Sequence, residues 1–277
     1  MKIFDVKIEA LNRQQARDRL IAMLEKKTPS MIATVNVEFV VLAEIDPEFK
    51  NILNKKTSLN TIDGSGLLWA LWFMRFPKIR IPVLKEIILS LSWILSLILY
   101  PLSLAIARKK IGERISGSDF IWDIADVAVA NDKKIFILGN KHGLDPNVAE
   151  KVSLEMQTKI YGLKVAGSYD GTGSIADEKD IVEIIKKSDA DILLVGLGTP
   201  AQEKWLARNL GKTDCKIGIG LGGTFDFIAG VQKRAPKWLR AIGFEWLFRL
   251  IQQPKRFRRQ LALPKFAFKV LKDKLTN

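Results

Sequence analysis

The chain has 277 residues, 48% of them hydrophobic, with 44 Lys and Arg against 30 Asp and Glu, a formal net charge of +14. That length can bury a large core as one domain with an appendage or as two domains, and that composition excludes a polytopic membrane protein. The one cysteine, Cys215, excludes an internal disulfide and a cysteine-built metal site and suits a reducing cytoplasm, and the opening MKIFDVKIEA has no apolar stretch of the kind a secretory signal needs.

In chain order, the spacing of apolar residues predicts a helix over 13–27, a strand over 31–35 and a helix over 47–53 opened by Asp46-Pro47. A short strand over 59–62 ends at Asp63-Gly64, and helical signals resume over 67–73. Then comes an uncharged run over 87–107, IILSLSWILSLILYPLSLAIA, with Lys78, Arg80 and Lys85 before it and Arg108, Lys109 and Lys110 after it. Its length passes the test for a membrane span, but Pro101 is expected to interrupt it. The unbroken piece 87–100 would reach about 21 Å, short of the roughly 30 Å hydrocarbon core. Basic flanks on both sides give no orientation. The expectation is a segment that dips into one leaflet and returns, against a buried core helix or an oligomer contact.

Beyond it the pattern predicts a helix over 119–130, a strand over 134–138, a helix over 146–157, a strand over 163–166 and a helix over 178–187. A strand over 191–195 runs into Gly196-Leu197-Gly198, a helix follows over 201–209, and a strand over 216–219 runs into Gly220-Leu221-Gly222-Gly223. This alternation predicts an α/β class: a Rossmann-like, mostly parallel sheet flanked by helices, with ligands at the carboxyl ends of its strands. Residues 1–230 would form that core, carrying an apolar helical insertion at about 77–110, and 231–277 a basic helical appendage. From Lys233 onward there are 13 Lys and Arg against 2 Asp and Glu, a net +11, interleaved with Trp238, Phe244, Trp246, Phe248 and Phe257. Such a mixture suits an anionic membrane surface or a nucleic acid; the uncharged run favours the membrane.

Several residues could carry chemistry. Asp63, at a strand's carboxyl end before Gly64 and Gly66, is placed to act as a general base, or else to cap a turn. Thr34 and Asn36, two apart at the end of a strand, could both reach one polar ligand, or else bond a turn. The loop holding Gly196 and Gly198 leads into a helix whose first turn carries Gln202 and Glu203; its N–H groups suit a phosphate. Gly222, Gly223 and Asp226 belong to a second glycine loop, a weak dinucleotide signal without the acidic partner about 20 residues on. Asp189-Ala190-Asp191 matches a metal-binding pattern but precedes a strand, at the wrong end of the sheet. The lone His142 has no metal-ligand partners in the sequence and reads as a surface residue.

Taken together these residues resemble the WecG/TagA/CpsF family of glycosyltransferases, over nearly the whole chain. The motifs are Thr34-Val35-Asn36, Asp63-Gly64-Ser65-Gly66, Glu113 through Asp119, Gly196-x-Gly198-x-Pro200-x-Gln202-Glu203-x-Trp205, Gly222 through Gly230, Arg234-Ala235-Pro236, Gly243 through Leu250, and Pro254 through Phe257. The resemblance implies an inverting transferase, membrane-associated on the cytoplasmic face, that moves a hexose-type, N-acetylmannosamine-type or uronic sugar from a UDP-sugar to a polyprenyl-diphosphate-linked sugar. The product would serve cell-surface polysaccharide or teichoic acid synthesis. It implies Asp63 as base, Thr34, Asn36 and Gln202 in the substrate pocket, Arg114 at the diphosphate, and Arg249, Arg256 and Arg259 of the appendage on phosphate, with no metal or cofactor. The pattern departs at Ala201, where the family has lysine, in the 167–171 region, and in the length of 77–110. Because Asp63 precedes that insertion and Arg114 follows it, a shared site requires the run to return to its own side. Deletion of 81–108 is then expected to leave the core folded. The alternatives are a nicotinamide-dependent oxidoreductase and a non-catalytic membrane or nucleic-acid binder; self-association through exposed apolar surface is a further expectation.

Overall fold

The computed structural model describes residues 1–77 and 81–276. Lys78 and Arg80, read above as flanks of the apolar run, lie outside the described residues. Two strands, β1 (Lys2–Ile3) and β2 (Val6–Lys7), form an antiparallel hairpin that period-two patterning could not announce at that length. The main sheet contains β3 (Ser30–Val35), β4 (Thr57–Ile62), β5 (Lys134–Asn140), β6 (Lys164–Gly171), β7 (Ile192–Val195) and β8 (Ile217–Gly220). All its pairings are parallel, in the order β4-β3-β8-β7-β5-β6. The register aligns Val35 with Ile62, Ala33 with Gly220 and Val195 with Gly220, so the carboxyl ends of the central strands open on one crevice.

The helices are α1 (Arg13–Leu24), α2 (Val37–Ile45), α3 (Pro47–Asn51), α4 (Ser65–Phe73), α5 (Pro82–Ile98), α6 (Tyr100–Lys110), α7 (Gly117–Ala130), α8 (Val148–Lys159), α9 (Glu178–Lys187) and α10 (Ala201–Asn209). After β8 come α11 (Thr224–Ile228), α12 (Lys237–Ala241), α13 (Glu245–Gln252), α14 (Phe257–Gln260) and α15 (Ala262–Thr276). Strand alternation divides the core. Ile192 and Leu194 face the layer of α1, α7 and α8, while Leu193 and Val195 face α9 and α10. A third cluster, under β3 and β4, joins Ala33, Val35 and Ile62 to α2, α4, α6 and α15. The helix α2 is absent from the expected elements because VEFVVLAEI is apolar nearly all round and shows no one-sided period.

The apolar run forms α5 and α6, bent by 103°. The break falls at Leu99, and Pro101 sits in the first turn of α6, where its missing N–H costs nothing. The interruption is therefore real but lies ahead of the proline, and α5 begins at Pro82. Among the described residues no single helix is long and apolar enough to cross a membrane, though the bent pair passes on length and composition. The hairpin has two characters. Leu89, Ser96, Leu104 and Ala107 are buried, and the Trp69 indole N–H donates to Ser96 Oγ at 3.1 Å. Trp93 donates to the Ala267 carbonyl at 2.9 Å, tying α5 to α15. Its opposite face, with Ile87, Leu91, Ile94, Leu95 and Ile98 at helical spacing, is bare; Leu91 is 61% and Ile98 71% exposed. Deleting 81–108 would strip Leu104 and Ala107 from the buried cluster they share with α4, and with them the buried Leu89 and Ser96, a cost to the core that the expectation of its surviving that deletion left out.

Candidate active site

The carboxyl-end crevice holds two cavities that meet at Asp63. The larger, about 370 Å³, is lined by the loops after β5, β7 and β8, including Gly196, Gly198, Thr199, Gln202, Gly222, Gly223, Thr224 and Asp226, with Thr34. The smaller, about 170 Å³, is lined by Ser65, Tyr100, Arg114, Glu245, Trp246 and Leu263. Asn36, Glu38, Asp63, Ser118, Arg249, Arg256 and Arg259 line both.

Asp63 takes its place from the sheet: its N–H donates to the Val35 carbonyl at 2.8 Å, extending the β3–β4 ladder by one residue. Gly64, just beyond, leaves room for Asn36, whose Cβ would stand 3.2 Å from any Cβ added there. The Ile115 N–H donates to the Ile62 carbonyl at 2.7 Å, which brings Arg114 back to Asp63 across the whole α5–α6 hairpin. The two residues expected to share a pocket do share one. Burial pushes the Asp63 carboxyl up to about 6; the Arg114 guanidinium opposes the rise, and Glu245 adds to it. Glu245 lies between two guanidiniums, 3.3 Å from that of Arg114 and 3.4 Å from that of Arg249.

Asn36 does double duty. Its side-chain oxygen caps α2, accepting from the Glu38 and Phe39 N–H groups at 2.9 and 3.3 Å, which leaves the amide NH₂ for a ligand. Thr34 is buried, with its hydroxyl 3.4 Å from the Gly220 carbonyl. Gln202 lines the larger cavity, but its amide is spent inside the protein. Its oxygen accepts from the Gly198 and Gly222 N–H groups at 3.2 and 2.9 Å, and its nitrogen donates to Glu203 at 2.6 Å. The expectation of free N–H groups in the Gly196–Gly198 loop is corrected at Gly198: Gln202 uses it and the Gly222 N–H to staple the two glycine loops together. Gly220 is likewise not a loop residue, and Gly218 keeps its expected place in the strand. Both lie in β8, where a Cβ would come within 2.6 Å of Leu206 at Gly218 and of Gln202 and Glu203 at Gly220. Their role is to let α10 lie close on the strand. Behind the staple, burial pushes the Glu203 carboxyl up to about 8, so it stands neutral at pH 7.

The appendage brings its arginines over the crevice. Arg249 lies over the Phe227 ring at 4.4 Å, Arg259 makes a two-pronged pair with Glu38 at 2.8 and 2.7 Å, and Arg256 donates to Gln253 at 2.9 Å. Burial pushes Arg256 down to about 10, and the neighbouring Arg259 and Arg249 push the same way. Burial also raises the Asp226 carboxyl, against Arg256 and Arg249. The buried Nε atoms of Arg249 and Arg256 have no hydrogen-bond partner. Three guanidiniums crowded at one mouth are suited to a diphosphate. Asp119, in contrast, is committed to structure: a two-pronged pair from Arg234, both at 2.7 Å, holds it well below the usual carboxylate range despite its burial.

His142 is exposed yet lines the larger cavity, and among the described residues no group of His, Cys, Asp and Glu is arranged to hold a metal. Asp189 and Asp191 sit at the amino end of β7, paired with Lys134 and Lys133, as expected of a structural pair. Sequence reasoning missed Glu38, Glu245 and Tyr100. Glu245 and Arg249 stand four apart on a helix, a pairing signal that was legible; Tyr100 was hidden inside the apolar run.

Comparison with known proteins points to one family. The chain is 34% identical over 168 residues to the N-acetylglucosaminyldiphosphoundecaprenol N-acetyl-beta-D-mannosaminyltransferase of Bacillus subtilis (strain 168), covering 61% of this chain and 63% of that protein. It is 32% identical over 164 residues to the enzyme of the same name from Bacillus spizizenii (59% and 62%), and 29% identical over 167 residues to that of Staphylococcus aureus strain MW2 (60% and 63%). The aligned stretch thus spans a little under two thirds of these relatives. A family model, by contrast, matches residues 1–92 and 96–277, breaking only within α5, and the chain belongs to the Glycosyl transferase WecG/TagA/CpsF family.

Proposed function

We propose that this protein is an inverting glycosyltransferase that moves a sugar from a UDP-sugar to a polyprenyl-diphosphate-linked sugar. The observation that carries this reading is Asp63, with its carboxyl raised to about 6, standing where two cavities meet under three appendage arginines. The larger cavity, walled by strand-end glycine loops, suits the nucleotide sugar. The smaller, walled by Tyr100, Trp246 and Leu263 from the apolar hairpin and the appendage, suits the lipid-linked acceptor.

In this mechanism Asp63 takes the proton of the acceptor hydroxyl as its oxygen bonds to the anomeric carbon. The bond from that carbon to the phosphate oxygen breaks on the opposite face, and its electron pair leaves with UDP. The guanidiniums of Arg249, Arg256 and Arg259 stabilise the charge that develops on the diphosphate. The relatives' names make N-acetylmannosamine the first donor sugar to try and N-acetylglucosaminyl-diphosphoundecaprenol the first acceptor. Work at the cytoplasmic membrane face, in teichoic acid or related polysaccharide synthesis, is part of the same reading. It is supported by the bare apolar face of α5 and by Trp238, Ile251, Phe257 and Phe268, exposed among the basic residues of the appendage.

The test incubates the full chain with the lipid-linked monosaccharide and a panel of UDP-sugars, UDP-N-acetylmannosamine among them. Transfer of label with inversion is expected, and none with Asp63→Asn. If no UDP-sugar donates, or if NADH binds where UDP does not, the reading fails.

A further inference from the structure

The apolar hairpin reaches the catalytic pocket. Tyr100, the first residue of α6, lines the smaller cavity, and its hydroxyl donates to Ser65 Oγ at 3.1 Å. Ser65, two residues beyond Asp63, donates in turn to the Gly243 carbonyl at 3.2 Å. The turn at 241–244 is where the appendage meets the body of the protein, and α6 grips it at further points. Arg108 donates to the Ala241 carbonyl at 2.7 Å, and the Tyr100 ring meets Phe244 edge-on at 6.0 Å. Gly243 has φ of +87°, and a Cβ there would overlap Leu104 and come within 2.8 Å of Tyr100, so this turn and α6 fit without slack. The residue after this turn is Glu245, the bridge between Arg114 and Arg249 beside Asp63.

We propose that Tyr100 is a positioning residue for the transfer reaction. Acting through Ser65 and Gly243, it registers Glu245 and with it Arg114 and Arg249 over Asp63, so the lipid-facing hairpin builds the acceptor side of the site besides tethering the protein. The proposal rests on the transferase reading for its kinetic consequence but not for its structural one. The Tyr100→Phe change suits the test, because it keeps the ring against Phe244 and removes only the hydroxyl.

Two measurements on the full chain decide it. In the first, ligand-free Tyr100→Phe and Ser65→Ala proteins are digested with limiting trypsin, which cuts at exposed appendage bases such as Lys237, Lys255 and Arg258. Cleavage there should quicken several-fold while the melting temperature of the core stays put. In the second, kcat/KM for the lipid-linked acceptor should fall about tenfold, binding of UDP, which keeps Arg256 and Arg259, should weaken clearly less, and the acid limb of the pH profile should be displaced, since Glu245 and both arginines act on Asp63. Ser65→Thr, which retains a hydroxyl, should recover most of the loss. Unaltered appendage cleavage overturns the proposal, as does an equal loss of UDP binding and acceptor kinetics. A wild-type chain that transfers no sugar refutes the transferase reading alone, because the proteolysis result still stands or falls by itself.

Discussion

At Asp63 desolvation outweighs the attraction of Arg114, Arg249 and Arg234, and the carboxyl is raised to about 6. A base of that strength is ionised at neutral pH yet keeps more affinity for a proton than an ordinary aspartate, which suits proton removal in the proposed transfer step. The rise has a thermodynamic sign. A group that binds its proton more tightly folded than unfolded loses stability for the fold as pH climbs from about 4 through about 6. Replacing it with Asn removes the penalty of burying the charge. Asp63→Asn should therefore abolish turnover while raising stability at pH 8 by up to about 3 kcal/mol, a gain absent at pH 4. Urea unfolding of both proteins at the two pH values measures this; equal stabilities at pH 8 would mean the charge is well solvated. In the wild type, kcat/KM should rise with pH and level off above an apparent value near 6.

The elements show why some of this site was legible in the sequence and some was not. The helices α9 and α10 fall where the apolar spacing puts them, because each buries one face on the sheet. The apolar hairpin was legible as an interruption but not as two helices breaking at Leu99, since proline is tolerated in a first helical turn. Thr34, Asn36 and Asp63 could be read as facing a ligand because strand ends in a parallel sheet converge, whereas Arg114, which follows no strand, was placed at the diphosphate only by the family resemblance. Which atoms remain available there was not legible: a motif spells Gln202 without saying that its amide staples two loops. The glycines of β8 carry the same lesson. The run Gly220-Leu221-Gly222-Gly223 reads as a loop after a strand over 216–219, yet Gly220 is still strand, packed under α10. Gly220→Ala should then push the Gln202 amide off its two N–H partners. We expect a loss of about 1–3 kcal/mol in stability and weaker UDP binding, read by thermal melts and calorimetry. Unchanged UDP affinity would show that the loops hold their shape without the staple.

At the scale of the whole molecule, exposed apolar side chains and basic residues both belong to the hairpin and the appendage, and these two touch. Phe268 of α15 rests on Trp93 of α5 at 5.0 Å, with Lys109, Lys110, Lys265 and Lys272 close in sequence to the exposed apolar residues. The two contributions respond differently to salt. Attraction of basic residues to anionic lipid, about 1 kcal/mol each at the surface, is screened within a Debye length of about 10 Å at 0.1 M salt. Immersion of leucine and isoleucine is insensitive to salt and adds about 25 cal/mol per Å² of apolar surface removed from water. Because the inner face of α5 is core, the outer face must be altered by substitution, not deletion. Leu91→Gln with Ile94→Gln and Ile98→Gln should leave the fold intact and cut partitioning onto phosphatidylglycerol-containing vesicles at least tenfold at every salt concentration. Neutralising Lys255, Arg258 and Lys265 should weaken partitioning at 50 mM salt and little at 500 mM. Flotation of the full chain with such vesicles checks both. If the triple glutamine variant floats like the wild type, α5 is not immersed, and its bare face must be covered by something other than lipid.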